Sequence, residues 1–237
     1  MIWVFLLAHV LTDFVFQTKT MATNKLELKN TIKHSVCLFI VTLLVVILAG
    51  FWDARVIFPI LIVAVSHGMI DYAKANLEKK SKEKWSWLFF TCDQLLHVIF
   101  IFMAIFLFYP ELQSGYVVFM EKRLFTNHIW KSLFFIFLIT CGGSYFTASV
   151  CRAFNPQKDS NNSLESAGRY IGILERLIVF ASILIGRYEV IGFLIAAKSI
   201  IRHPEKNDKS FAEYFLIGTF SSFVWAGAFT FLYLKIV

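Results

Sequence analysis

Eight apolar runs divide the chain, near residues 1–17, 34–51, 56–77, 85–109, 131–154, 166–186, 188–202 and 211–235. Most of them reach the roughly 20 residues a helix needs to cross a bilayer. In hydrocarbon every backbone N–H and C=O must be satisfied within its own segment, so runs of this length admit helices and little else. The sequence therefore predicts an all-α polytopic transmembrane bundle of about seven or eight spans. The first and seventh runs are short and are expected to be weakly tilted, partly re-entrant, or shielded from lipid by their neighbours. Composition agrees: of 237 residues 58% are hydrophobic and 16% charged, against roughly half and a quarter in a soluble domain. A soluble enzyme, a disordered tail and a disulfide scaffold are all excluded on that ground.

The chain reads as one integral membrane domain over 1–237, with His/Asp-bearing helices in 1–109, an outer loop in 110–130 and Arg/Glu/Lys-bearing helices in 131–237. Within the outer loop, Tyr116 to Met120 and Phe125 are expected to form a short interfacial helix. Met1 to Phe16 lacks a basic leader and a small-residue cleavage site, so it is expected to be a retained first helix. The cysteines Cys37, Cys92, Cys141 and Cys151 have no paired spacing and read as free thiols.

A formal net charge of +7 would raise nucleic acid as a partner in a soluble chain. Here the basic residues sit in loops, where they set topology, and nucleic acid is not expected. Fifteen fall in the odd-numbered loops and their helix ends, six on the other side, and Arg169 and Arg176 within the sixth run. The positive-inside rule then puts loops one, three, five and seven in the cytoplasm of a bacterial inner membrane and both termini outside.

Three His/Asp pairs carry the chemistry: His9 with Asp13, His67 with Asp71, and Asp93 with His97. Each pair is four residues apart and so stacks on one helix face. With six His and six Asp in the chain, chance supplies roughly 0.3 such pairs. The predicted orientation puts all three at similar depth in the cytoplasmic half of the bilayer, His67 and Asp71 about 15 and 9 Å, and Asp93 and His97 about 12 and 18 Å, from the inner end. His34 opens the second run a little nearer the cytoplasm.

An ionised aspartate at that depth is costly unless paired, and a divalent cation supplies the pairing. Imidazole nitrogen with carboxylate oxygen suits zinc first, with manganese and iron as the other candidates. The expected ligands are His9, Asp13, His67, Asp71, Asp93 and His97, with Asp13 as ligand or general base and His34 as proton carrier. One metal with outer carboxylates and two metals sharing an aspartate both fit this set. The plainer alternatives are hydrogen-bonded His/Asp staples between helices and a proton relay without metal. Cys37 and Cys92, each close to a site residue in sequence, could add a soft ligand or simply pack.

The sixth run adds Arg169, Glu175 and Arg176, and Lys198 and Arg202 close the seventh. Arg169, Arg176, Lys198 and Arg202 are the expected holders of an anionic head group or phosphate, and Glu175 with Arg169 the expected structural ion pair. Gly168 and Gly172 are spaced for close helix packing.

These motifs together carry a resemblance. His9-Val-Leu-Thr-Asp13-Phe-Val-Phe-Gln17, His67-Gly-Met-Ile-Asp71-Tyr-Ala-Lys74, Asp93-Gln-Leu-Leu-His97, Gly168-Arg-Tyr-Ile-Gly-Ile-Leu-Glu-Arg176, Ala197-Lys198-Ser-Ile-Ile-Arg202 and Ala212-Glu-Tyr-Phe-Leu-Ile-Gly-Thr219 are similar to those of a family of multi-spanning bacterial and phage membrane proteins, a domain of unknown function. The likeness covers both ends of the chain and not Pro110 to Phe154, and it implies membrane embedding. The His-x-x-x-Asp spacing alone also resembles the metal site of cation-diffusion-facilitator zinc transporters. Those usually have six spans and a cytoplasmic metal-binding domain, a plan this sequence does not follow.

The leading expectation is a metal-dependent hydrolase acting from the cytoplasmic leaflet on a lipid or lipid-linked phosphate or ester, with water activated by the metal as nucleophile. The alternatives are a divalent-metal or proton transporter, and a structural or sensory protein with a metal or polar staple. Transport requires a polar path outward, and Leu43 to Leu48 and Val98 to Leu107 are almost purely apolar.

Overall fold

A computed structural model describes residues 1–18, 21, 26–51, 53–110, 121–154, 165–201 and 209–236. Its elements are helices, with no strand among the described residues. We number them α1 (Ile2–Leu11, continued by a π-helical turn Thr12–Phe16), α2 (Leu28–Leu48), α3 (Ala54–Lys80), α4 (Glu83–Phe108) and α5 (Glu121–Phe137, a π-helical turn Leu138–Gly142, then Gly143–Arg152). The chain continues as α6 (Glu165–Leu184), α7 (Glu189–Ile201) and α8 (Lys209–Ile236). Among the described residues, these eight helices answer the eight apolar runs.

Among the described residues, five segments are long and apolar enough to cross a membrane: Leu28–Leu48, Ala54–Lys80, Glu83–Phe108, His128–Arg152 and Ala212–Ile236. The helices α1, α6 and α7 fall outside that set. α6 has 20 residues but carries Arg169, Glu175 and Arg176. α7 has 13, about 20 Å of helix against a hydrocarbon core of roughly 30 Å. α1 is short and buried on every side from Val4 to Val10, which matches the shielded alternative for it. The expected interfacial helix lies largely outside the described residues, and Phe125 belongs to the first turns of α5.

The chain forms two compact units, Met1–Lys82 with Leu88–Phe134, and Glu83–Trp87 with Phe135–Val237. In the first, the usual order of a soluble helix is inverted. α2 turns Ile32, Val36, Ile40 and Leu44 outward and buries Thr31, His34, Leu38 and Thr42. α3 exposes Leu61, Val65 and Met69 while burying Ile60, Ala64, His67 and Asp71, and α4 exposes Leu95, Ile99 and Met103 around buried Asp93 and His97. Apolar residues outside and ionisable ones within is the pattern a lipid solvent selects.

Helix ends follow local rules. α2 and α6 both stop in Schellman caps on Gly50 (φ 76°) and Gly186 (φ 69°). There Phe51 N–H donates to Val46 O at 3.1 Å and Arg187 N–H to Ser182 O at 2.8 Å. Asp53 opens α3, accepting the Arg55 backbone N–H at 2.9 Å and its Nε at 2.8 Å. Those bonds from Arg55 hold the Asp53 carboxyl below its usual pKa.

Candidate metal centre

Each of the first four helices delivers part of one polar cluster. The π-helical turn of α1 begins at Thr12, whose Oγ1 donates to Ala8 O at 2.8 Å, and this widened turn carries Asp13 into the bundle. Such turns recur at functional positions because one extra residue re-aims a side chain. α2 and α3 pack closely at Gly68, where a Cβ would run into Ser35 Oγ. That approach sets His34 opposite His67 and Asp71.

Seven expected residues meet here: His9, Asp13, His34, His67, Asp71, Asp93 and His97, none more than 5% exposed. Asp13 Oδ1 lies 3.2 Å from both His34 Nε2 and His67 Nε2, and its Oδ2 is 3.8 Å from His9 Nε2. Asp71 Oδ2 is 3.6 Å from His34 Nε2 and from His67 Nε2, and its Oδ1 is 3.8 Å from His97 Nε2. Asp93 Oδ1 stands 3.4 Å from His97 Nε2. The His67 and His97 rings stack with centroids 4.0 Å apart. The i,i+4 pairs read from the sequence are therefore present, but the closest His/Asp approaches are those Asp13 makes across helices.

Three overlapping groups have ligand atoms within 4.8 Å of one another: His9, Asp13 and His67; His34, His67 and Asp71; Asp71, Asp93 and His97. Several donors there lack a hydrogen bond although buried, among them both ring nitrogens of His67, His97 Nε2 and Asp93 Oδ1. A buried polar atom without a partner costs roughly 1–3 kcal/mol. The donor chemistry fits a divalent cation, since neutral imidazoles and carboxylates are what zinc, manganese and iron(II) accept. His34, expected as a proton carrier, stands in one of these groups as well.

Sequence reasoning missed two members. Gln94 stands beside three others, its Nε2 donating to Asp13 Oδ2 at 3.3 Å and Asp93 Oδ2 at 3.2 Å, with its Oε1 3.2 Å from His9 Nε2. Lys74 Nζ pairs with Asp93 Oδ2 at 3.0 Å. The available signals were an amide adjoining Asp93 inside an apolar run, and a lysine three residues after Asp71 on the same helix face. Neither Cys37 nor Cys92 joins the ligand groups.

The expected anion holders are differently engaged, within the second unit. Arg176 is 2% exposed. Its Nε donates to Thr140 O at 3.1 Å, its Nη1 to Ser222 Oγ at 2.8 Å and its Nη2 to Ser144 Oγ. Thr140 lies in the π-helical turn of α5, and the same turn's Leu138 O accepts Trp225 Nε1–H at 3.1 Å. Gly143 makes the room, because a Cβ there would stand 2.7 Å from Arg176 Cδ and 2.8 Å from Trp225 Cδ1. Glu175 accepts from Lys198 Nζ at 2.7 Å, so the carboxylate expected beside Arg169 is paired from α7. Arg169 sits over the Tyr145 ring at 5.4 Å. Arg202 lies outside the described residues. Among the described residues, Arg176 and Lys198 thus bond within the fold and Arg169 faces an aromatic ring.

Fold and site together define a class: an all-α chain with five helices able to cross a membrane and a buried cluster of imidazoles and carboxylates. The chain belongs to the DUF3307 family, whose model, described as a protein of unknown function, matches residues 1–126. That stretch contains the whole His/Asp cluster and stops short of the Gly168–Arg176 and Ala212–Thr219 motifs. No curated protein and no solved structure matches the chain.

Proposed function

We propose that this protein is a membrane-embedded metal-dependent hydrolase, with zinc as the metal, acting on a phosphate or ester of an anionic lipid or lipid-linked substrate at the cytoplasmic leaflet. The observation that carries the reading is the His/Asp cluster itself, seven buried ionisable groups on four helices, several of whose atoms make no hydrogen bond. A bound metal would supply the acidity that makes water a nucleophile near neutral pH. In the reaction the water oxygen bonds to phosphorus or to the acyl carbon, the ester bond breaks, and the leaving alcohol takes up a proton, so no redox partner is needed. A carboxylate of the cluster would take the proton from the water and pass it to the leaving alcohol.

The location we propose is a bacterial inner membrane. Lys29 and Lys33 in α2 and Lys74, Lys79 and Lys80 in α3 lie at the ends of their helices that lead to loops one and three, which the positive-inside rule assigns to the cytoplasm. The cluster then lies in the inner half of the bilayer, within reach of head groups on that side.

The test is metal content by mass spectrometry on the detergent-purified chain, wild type beside Asp71→Ala, followed by release of phosphate or fatty acid from vesicles containing anionic phospholipid. The expected result is bound zinc and turnover in wild type, both lost in the variant. Wild type that binds no metal even after reconstitution overturns the reading. Metal binding with Asp71-dependent uptake into proteoliposomes and no turnover replaces it with transport.

A further inference from the structure

The distances within the cluster are not uniform, and their pattern separates two positions. Four atoms, His34 Nε2, His67 Nε2, Asp13 Oδ1 and Asp71 Oδ2, approach one another with His-to-Asp edges of 3.2, 3.2, 3.6 and 3.6 Å. Around a zinc ion bound at about 2.0–2.1 Å, the ligand-to-ligand edge of a regular tetrahedron is about 3.3–3.4 Å. These four His-to-Asp edges, made from three helices, lie close to that value.

The remaining donors are arranged otherwise. His97 Nε2 faces Asp93 Oδ1 at 3.4 Å and the second oxygen of Asp71 at 3.8 Å. Asp71 thus turns one oxygen to His34 and His67 and the other to His97, the disposition of a bridging carboxylate. Among the described residues, Asp71, Asp93 and His97 make up this second group. Lys74 Nζ stands at the outer oxygen of Asp93. Catalytic sites of this kind keep a position open for a water or substrate oxygen, whereas closed four-ligand sites are structural. Paired ions in hydrolytic centres lie about 3.5–4 Å apart, a spacing that a shared carboxylate spans.

Resting on the metal-dependent reading above, we propose that the cluster holds two divalent ions in unlike positions: one enclosed by His34, His67, Asp13 and Asp71, the other on Asp71, Asp93 and His97 with a coordination place left for a phosphate, carboxyl or water oxygen. Asp71 bridges them. His9 is the donor left over; with Gln94 it steadies the outer oxygen of Asp13, as second partners of metal ligands do. Lys74 holds Asp93 from the far side and adds a positive charge where an anionic substrate oxygen would enter.

The experiment uses the full chain in detergent, stripped and reloaded with manganese(II), with the metal-to-protein ratio and the electron paramagnetic resonance spectrum as readouts. The expected result is two ions per chain with the multiline signal of a coupled pair. His97→Gln and Asp93→Asn should fall to one ion per chain and show the six-line signal of an isolated ion. Asp71→Asn should lose the coupling, and His9→Gln should keep both ions. One ion per chain in wild type, or two without coupling, overturns the two-position assignment while leaving a metal-dependent hydrolase standing. No ion in wild type sinks the reading beneath it as well. Loss of one ion in His9→Gln but not in His34→Gln also overturns the assignment. The wild-type ratio and spectrum decide the matter even where a variant fails to fold.

Discussion

Two polar clusters are buried in this chain, one in each compact unit, and they differ in how completely they are satisfied. Around Arg176 the guanidinium has oxygens for partners on three of its nitrogens, from Thr140, Ser222 and Ser144, and neighbouring Glu175 has Lys198. Around Asp13 and Asp71 the imidazoles stand at ion-pair distances while His67 and His97 keep ring nitrogens without a hydrogen bond. A satisfied buried network ties helices together and asks for nothing further. An unsatisfied one costs stability until something binds, and that distinguishes a bolt from a receptacle.

The comparison is broken most forcefully at Arg176. Arg176→Met leaves the oxygens of Thr140, Ser222 and Ser144 without their donor, and stability should fall by roughly 1–3 kcal/mol for each, while metal bound per folded molecule stays as in wild type. Thermal unfolding in detergent beside metal analysis of the folded fraction checks both halves. A variant as stable as wild type would remove Arg176 from the fold's supports.

At Gln94 the opposite split is expected. Gln94→Leu removes the amide that orients Asp13, Asp93 and His9, so metal affinity should drop roughly 10–100-fold. The metal-free protein should be no less stable than wild type, as measured by competition with a chelator and by unfolding of the stripped form. A loss of stripped-state stability with unchanged affinity would make this cluster a bolt as well.

The smallest effect is expected outside both clusters, at Asp53. Its carboxyl is held below the usual value by Arg55, so its contribution is present above the ordinary carboxylate pKa and is lost as pH falls through the depressed one. The thermal midpoints of wild type and Asp53→Asn should therefore differ slightly at neutral pH and converge in acid. A gap that widens in acid would contradict the pairing.

Much of the His/Asp cluster is legible in the sequence, because i,i+4 spacing fixes a helix face. The pairs His9 and Asp13, His67 and Asp71, and Asp93 and His97 follow from that spacing. Gln94 and Lys74 do not, since their roles depend on where α1 and α3 stand beside α4, and a lysine near a helix end carries the signature of a topogenic charge. In the second unit the choice of Lys198 over Arg169 for Glu175 depends on how α7 packs on α6, which no spacing within one helix encodes. The carbonyls offered to Arg176 and Trp225 exist because a π-helical turn interrupts α5, and the run Leu-Ile-Thr-Cys-Gly gives only a trailing glycine as a hint of it.

The burial of α1 has a consequence for how the protein comes to exist. Too short to span a bilayer by itself and enclosed from Val4 to Val10, this helix depends for its surroundings on helices later in the chain. His9 and Asp13 become buried only as α2, α3 and α4 close around them. The cluster is thus complete only once α4 is in place, and a chain halted before α4 would carry five of the seven ionisable groups and lack Asp93 and His97.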